Sequence, residues 1–304
     1  MLKRREVGAH QLRTYLTPSD GGMGGWGDGP VACRGVSRQS TFEFLGMAEL
    51  GEGAGGYRVP ITDRAVGGGR GSLFGGVGLA AGVAAMEAHT GKPAVWATAQ
   101  YIATLYNPSE MHLDVATPAV GRSVTQCRLQ ATSEGNEIVN VLGAVGERPE
   151  KLRGVWDTMP DCLSPGDSVD PERHFDYASL HDHVEVKMAR GMFGFSGAGE
   201  ATGDNRSLVW VRMPGVRVDA AALAIIADYA PSVVGNAMGR VTNLSSLDNT
   251  IRYADAAPAD TDWVLCDNQV EFVGNGFANS SCLMWSEAGQ LLGTASQSMT
   301  IVLL

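Results

Sequence analysis

The stretches VGRSVTQCRLQATSEGNEIV (residues 120–139) and VGNGFANSSCLMWSEAGQLL (residues 273–292) decide the fold of this 304-residue chain. Both begin with Val-Gly, continue as a strand-like segment and close on a turn that contains Ser-Glu and Gly. Similarity between two distant segments of one chain indicates an internal duplication. The chain therefore contains two copies of one structural unit.

A helix precedes the strands of each copy. The spacing of apolar residues predicts helices over residues 74–89 and 219–238. Alternating patterns between turn signals predict four strands after each helix: 94–106, 112–116, 122–132 and 137–145, then 247–253, 263–272, 277–285 and 291–302. A helix followed by antiparallel strands, given twice, predicts an α+β fold in which two antiparallel sheets each wrap one helix.

The duplication also predicts the domain organisation. Residues 1–40 are polar and rich in glycine, so we expect a disordered N-terminal extension. The first unit is expected over residues 41–147 and the second over residues 175–304. Between them, residues 148–174 are rich in proline and are expected to be a linker.

Composition excludes several classes of function. The chain is 44% hydrophobic and 18% charged, which predicts a globular protein. A formal net charge of −10 argues against a nucleic-acid partner, because phosphate contacts require a basic face. No uninterrupted apolar run reaches the length of a membrane span, so none is expected. The five scattered cysteines include no CxxC pair and favour a cytoplasmic location.

Common catalytic motifs are either absent or out of context. Gly76, Gly78 and Ala81 have the spacing of a dinucleotide fingerprint, but no strand is predicted immediately before them. The segment GFSGAG lacks the GxSxG spacing of a serine hydrolase. His181 and His183 are expected on a solvated strand, with no further ligands nearby in sequence. We therefore expect neither a metal nor a cofactor.

One acidic residue makes the two copies unequal. Asp228 lies inside an apolar helical run, where an unpaired carboxylate would be costly to bury. The first helix has no acid in the corresponding run and begins instead with Gly75 and Gly76. A glycine-rich helix start exposes backbone N–H groups that can hold an anion or a polarised carbonyl oxygen.

Residues 41–304 resemble the TesB-like (type II) acyl-CoA thioesterases. Five stretches carry the resemblance and are similar, in chain order, to the family's "VFGG", "F-x-R-PG", "lAYaSD", "aTiDHSmwF" and "lvAstvQEg" segments: GSLFGGVGLAAG (71–82), YIATLYNPSEMHLDVATPAVGRSV (101–124), LAIIADYAPS (223–232), LSSLDNTI (244–251) and LLGTASQSM (291–299). The resemblance implies a double hotdog fold and an oligomer of such units.

The same stretches imply the positions of the catalytic residues. By resemblance they are Asp228, Ser246 and Gln297. Ser246 stands where the family has threonine and keeps the hydroxyl, whereas Asn249 replaces a histidine of the family.

The implied reaction is hydrolysis of acyl-CoA to a free acid and CoA, without a cofactor. A carboxylate beside serine and glutamine can orient a water molecule and accept its proton. Gly75 or Gly76 would then stabilise the oxyanion. Two alternatives stay open: a non-catalytic protein that binds acyl thioesters, and a hotdog enoyl-CoA hydratase. The hydratase requires a histidine close after the aspartate in the second helix, and no histidine follows Asp228 there.

Overall fold

The computed structural model describes residues 38–51, 55–68, 71–149, 152–171, 177–192, 201–239, 243–255 and 259–302. These residues lie in one compact unit, Ser37–Leu304. The prediction of a disordered extension over residues 1–40 therefore falls outside the described residues, apart from its last three. The predicted boundaries of the two units and the linker stay predictions.

Helices are few and short, with one exception. They are α1 (Thr41–Phe44), α2 (Gly75–Thr90), α3 (Ala220–Ala227) and α4 (Ser232–Met238), with 3₁₀ turns at Asp63–Ala65 and Leu180–Asp182. The first half carries the strands β1 (Ala48–Glu49), β2 (Gly56–Ile61), β3 (Val66–Gly68), β4 (Ser72–Leu73), β5 (Ala94–Tyr101), β6 (Ser109–Val120), β7 (Val124–Ser133) and β8 (Asn136–Gly146). The second half carries β9 (Glu185–Arg190), β10 (Arg206–Arg212), β11 (Asn243–Ser246), β12 (Asp248–Tyr253), β13 (Val264–Gly274), β14 (Phe277–Ser286) and β15 (Leu291–Val302).

Apart from the short pair β3–β4, the described strands form one large sheet and not two separate ones. Thirteen strands are joined in the order β1-β2-β6-β7-β8-β5-β12-β15-β14-β13-β10-β9, with β11 also paired to β15. The expectation of two sheets was wrong because β5 and β12 pair with each other, from Asp248 opposite Gln100 to Arg252 opposite Trp96. This pairing satisfies backbone groups that two open sheet edges would leave exposed.

The strand order reflects the duplication. Outward from the β5–β12 pair, the strands on the two sides correspond as β8 with β15, β7 with β14, β6 with β13, and β2 with β10. The two similar sequence stretches place β7 and β14 at equivalent positions. The α+β, antiparallel character predicted from the sequence is thus present, although β2, β9 and β10 were not predicted.

Helix α2 packs tightly against the first half of the sheet. Its residues from Gly76 to Met86 are buried, so no polar face separates it from its neighbours. A Cβ atom at Gly82 would lie 2.8 Å from Val141 of β8, and one at Gly78 would lie 3.2 Å from Val139. These glycines therefore permit a helix–sheet distance that larger residues would prevent.

The second predicted helix is interrupted. Helix α3 ends at Ala227 and α4 begins at Ser232, because Pro231 lacks the N–H that a continuous helix would need. By length and composition alone, the stretch Ala220–Met238 could cross a membrane, yet 89% of it is buried inside the protein. It is packed as core helices are.

The buried apolar residues form three clusters: a main one, a smaller one under α4, and a third in the second half that consists of Leu208, Trp210, Trp263, Leu265 and Trp285. The main cluster surrounds α2 and α3 and includes both halves of the sheet. The smaller cluster consists of Val233, Val234, Val270, Ala278, Met299 and Ile301. The core of the second half is therefore divided among three clusters.

Candidate active site

Asp228 lies at the break between α3 and α4. It is the C-terminal cap of α3, with φ −75° and ψ 2°, and its backbone N–H donates to the carbonyl of Ile225 at 3.2 Å. The chain thus leaves the helix at this residue, three positions before Pro231. The side chain is only 6% exposed, so its carboxylate must find its partners inside the protein.

Three donors from three different elements bind this carboxylate. Oδ2 accepts a hydrogen bond from the backbone N–H of Gly76 at 2.6 Å. Oδ1 accepts from Gln297 Nε2 at 2.9 Å and from Asn249 Nδ2 at 3.3 Å. Because the first donor is the N-terminal turn of α2, the helix dipole also favours the negative charge. The first half of the chain therefore contributes directly to a site whose other residues come from the second.

Ser246 and Gln297 meet beside Asp228. Gln297 lies on β15 with its side chain 2% exposed, and Ser246 lies on β11, which pairs with the same strand. The Nε2 group of Gln297 hydrogen bonds to Ser246 Oγ as well as to Asp228. The structure therefore brings together the three residues that the resemblance had singled out as catalytic.

Asn249 was not predicted as a site residue. It lies on β12 and is 1% exposed, and its amide binds the same carboxylate oxygen as Gln297. The sequence did contain a signal for it: Asn249 lies in the stretch LSSLDNTI, three residues after Ser246, and replaces a histidine of the family. Its direction toward Asp228 depends on strand pairing, which the local sequence does not reveal.

Burial and hydrogen bonding act in opposite directions on the acidity of Asp228. Burial raises the pKa of its carboxyl from the ordinary value to about 6, although the donors from Gly76, Gln297 and Asn249 each lower it. The carboxylate is therefore ionised near neutral pH and is still basic enough to accept a proton. A general base functions best when its pKa lies near the working pH.

The two glycines expected to hold an anion lie against Asp228. A Cβ atom at Gly76 would lie 2.7 Å from Asp228 Cβ and 3.0 Å from the carbonyl oxygen of Ala224, so only glycine fits. The N–H of Gly76 is already donated to Asp228. The N–H of Gly75 has no hydrogen-bond partner among the described residues. Of the two predicted oxyanion donors, Gly75 is therefore the one that stays available.

Aromatic residues fix the start of α2. Tyr101 of β5 donates its hydroxyl hydrogen to the carbonyl of Gly75 at 2.8 Å, and burial raises its pKa well above the ordinary value. The ring of Phe74 packs against His181 and Tyr229, the residue after Asp228. Tyr101 was not predicted, because its contact joins residues that are far apart in sequence.

The two histidines weighed as metal ligands have structural partners. His181 is in a 3₁₀ turn and not on the expected strand, and its ring nitrogens lie 3.0 Å from the Tyr229 hydroxyl and 3.1 Å from the carbonyl of Gly67. His183 Nε2 lies 3.0 Å from Asp63 Oδ2. In the part of the chain that the structure describes, no three His, Cys, Asp or Glu side chains are grouped as metal ligands would be.

Comparisons with known proteins concern the chain as a whole and the second half in particular. Residues 160–301 match the family model of the acyl-CoA thioesterase C-terminal domain. A protein of Novosphingobium aromaticivorans, provisionally assigned as a thioesterase, is 27% identical, with a TM-score of 0.72 over 84% of this chain and 98% of that one. No curated protein matches the sequence significantly.

Two further solved structures share the fold. One is a protein of unknown function with a hot dog fold from Alicyclobacillus acidocaldarius, with 18% identity and a TM-score of 0.74 over 88% of this chain and 99% of that one. The other is the acyl-CoA thioesterase II TesB2 of Mycobacterium marinum, with 18% identity and a TM-score of 0.65 over 87% and 99%. The comparisons confirm the resemblance to TesB-like acyl-CoA thioesterases and, with it, the prediction of a thioester hydrolase.

Proposed function

We propose, on the match of residues 160–301 to the acyl-CoA thioesterase C-terminal domain, that the chain hydrolyses acyl-CoA to a free acid and CoA. One observation carries the mechanism: a buried carboxylate, Asp228, is held between two side-chain amides and a helix N-terminus, with a pKa of about 6. Such a carboxylate is suited to remove a proton from water.

The amides next to Asp228 can orient that water. Gln297 Oε1 and Asn249 Oδ1 are buried and have no hydrogen-bond partner among the described residues. A water molecule between them could donate one hydrogen to an amide oxygen and the other to Asp228 Oδ1. Ser246 hydrogen bonds to Gln297 and restricts its amide to this orientation. In this mechanism Asp228 is the base, and Gln297, Asn249 and Ser246 position the water.

The proposed reaction has two steps. The oxygen of the water attacks the thioester carbonyl while its proton passes to Asp228, which gives a tetrahedral intermediate with an oxyanion. The N–H of Gly75 at the start of α2 supports this charge, as backbone donors at a helix N-terminus do. Collapse of the intermediate breaks the carbon–sulfur bond, and the proton on Asp228 passes to the CoA sulfur. No covalent enzyme intermediate is formed.

We also propose that the two halves form a double hotdog with one active site. The strand order on either side of the β5–β12 pair supports a doubled unit. Only the second half supplies an acid, and the first supplies Gly75 and Gly76. Self-association and a cytoplasmic location are retained as proposals, on the family resemblance and on the scattered cysteines.

The test compares the wild type with Asp228→Asn and Asp228→Ala. Thiol release from a panel of acyl-CoAs of different chain length should fall about 100-fold or more in both variants, the range lost with a general base. The control is Asp114→Asn, which changes an exposed carboxylate on β6. Equal rates for wild type and the Asp228 variants would refute the proposal.

The two alternative functions predict different outcomes. A non-catalytic binder would bind acyl-CoA tightly and release no thiol under any condition. A hydratase would add water to enoyl-CoA, for which a histidine beside the aspartate is required. The groups that hydrogen bond to the Asp228 carboxylate belong to Gly76, Asn249 and Gln297. All three are amides, and none of them can take up and release a proton as histidine does.

A further inference from the structure

A row of polar side chains crosses the inner face of the second half. Asn268 of β13 lies directly opposite Ser207 of β10, and Ser280 of β14 lies directly opposite Gln297 of β15. Asn268 and Ser280 are diagonal neighbours, because Ser280 pairs with Val270, two residues after Asn268. The row thus spans four adjacent strands, about 14 Å at the usual strand separation.

The row separates the main apolar cluster from the cluster under α4. On one side, the same strands present residues of the main cluster, among them Val209, Cys266 and Cys282. On the other side, they present Val270, Ala278 and Met299 of the cluster under α4. The row is buried, so its polar side chains are not explained by contact with solvent at the surface.

Apart from the Nε2 group of Gln297, the side chains of this row have no hydrogen-bond partner among the described residues. Ser207, Asn268 and Ser280 are each 0% exposed. The Oγ atoms of Ser207 and Ser280 make no hydrogen bond among the described residues, and neither do Nδ2 and Oδ1 of Asn268. The Oγ of Ser232 on α4, also 0% exposed, is unpaired as well. A buried polar group without a partner loses the hydrogen bonds that it makes to water in the unfolded chain, so we expect the native protein to supply partners.

One end of the row lies beside the candidate active site, and the other lies beside an exposed glycine. At the inner end, Gln297 binds Asp228 through Nε2, and its Oε1 is unpaired. At the outer end, Ser207 lies next to Gly191, an exposed residue at which a Cβ atom would be 3.2 Å from Ser207 Cβ. The row therefore runs from Gln297, beside Asp228, to Ser207, whose neighbour Gly191 is exposed.

We propose that this row holds a file of water molecules that supplies the water activated by Asp228. Hydroxyl and amide groups both donate and accept, as water does, and neighbouring strands place them close enough to share one water molecule. The inference rests on the proposed hydrolysis, which consumes one water molecule per turnover. A separate supply has a purpose, since Asp228 is buried and a bound thioester would cover it from the substrate side.

A crystal structure that resolves ordered water is the direct test. Water molecules should lie within hydrogen-bond distance of Asn268, Ser280 and Gln297 Oε1. A row without water would overturn the proposal. So would side chains rotated to hydrogen bond with one another.

Substitutions test whether the water matters for the reaction. In Asn268→Leu and Ser280→Val, kcat should fall about tenfold, while KM stays within about twofold. The matched control is Ser281→Val, the next residue on β14, whose side chain faces the other side of the sheet. If the row were merely an unpaired structural feature, apolar replacements would leave kcat unchanged and raise Tm. That result would overturn the proposal.

Two further measurements separate this proposal from the function itself. In the Asp228→Asn background, Asn268→Leu should not reduce the residual rate further, because the two changes affect one step. A full additional loss would overturn the proposal. If Asp228→Asn alone were fully active, the proposed role of Asp228 as the base would fail, while ordered water in the row would still be seen. A KM increase in Asn268→Leu confined to hydroxyacyl-CoA would show that the row binds the acyl group and would also overturn the proposal.

Discussion

The carboxylate of Asp228 is the clearest single-residue feature of this protein. Burial raises its pKa to about 6, and the three hydrogen bonds reduce but do not cancel that effect. The activity should therefore increase as pH rises through about 6, because only the ionised carboxylate accepts a proton from water. Two single substitutions test this carboxylate: one changes its hydrogen bond from Asn249, and the other removes its charge.

Asn249→Leu should move the pH profile. The Asn249 amide favours the ionised form of Asp228, so its loss raises the pKa of the carboxyl further. The acid limb of kcat/KM should shift to higher pH by about half a unit, the size expected for one weak hydrogen bond to a charged group. Thr250→Val, the next residue on β12, is the control. An unchanged limb would show that Asn249 does not act on Asp228.

Asp228→Asn should stabilise the protein at neutral and higher pH. The folded pKa lies above the unfolded one, so the stability contributed by Asp228 is full below about pH 4 and is lost as pH rises through about 6. Asparagine carries no such penalty, because it is uncharged; its amide oxygen can still accept from the Gly76 N–H, and the Asn249 amide can turn to accept from its amide nitrogen. Thermal unfolding should show a higher Tm for the variant at about pH 8 and a smaller difference at about pH 5. A lower Tm for the variant at both pH values would contradict this account.

At the scale of elements, the contact between α2 and α3 decides the geometry of the site. Gly76 brings the first turn of α2 against Asp228 and the carbonyl of Ala224. Pro231 prevents α3 from continuing into α4, so Asp228 lies at the end of α3 and not inside a regular helix. Gly76 leaves room for this close contact and Pro231 interrupts the helix, and neither residue contributes a reactive side chain.

Gly76→Ala is expected to destabilise the protein, although alanine is the better helix former. Propensity alone would favour alanine by about 1 kcal/mol, but its Cβ would approach Asp228 Cβ to 2.7 Å. Tm and kcat should both fall, since α2 and Asp228 must move apart. Ala88→Gly, at an exposed position of the same helix, measures the propensity alone. A Tm increase for Gly76→Ala would show that this contact is not tight.

At the scale of the whole molecule, the β5–β12 pair joins both halves into one sheet. Five residue pairs connect the strands, and the hydroxyls of Thr98 and Thr250 lie 2.7 Å apart across the junction. A continuous sheet makes the stability of each half depend on the other. The two halves should therefore unfold together.

Ile251→Ala tests this dependence. Ile251 is fully buried on β12, and its truncation should cost about 2–5 kcal/mol. Tryptophan fluorescence and far-UV circular dichroism should still report one coincident transition at a lower Tm, as expected of a single cooperative unit. Leu142→Ala, half exposed on β8, is the control. Two separate transitions, of which only one shifts, would contradict a single unit.

The sequence alone determined the first helix and most of the strands that follow it in each of the two repeats. Turn signals and alternation located β7, β8, β13, β14 and β15 to within a few residues, because these patterns are local. The helix α2 was likewise predicted nearly to its ends. The strands β2 and β10 were not predicted, and α3 and α4 were predicted as one helix, although Pro231 carried the signal for the break.

The tertiary structure alone decided how the copies combine. The pairing of β5 with β12, the approach of Gly76 to Asp228 and the position of Asn249 join residues that are far apart in the chain, through hydrogen bonds that no local pattern encodes. The sequence could identify Asp228 as an acid in an apolar run, since burial of a charge requires partners. Which partners it has, and therefore its pKa, depends on the packing of one half against the other.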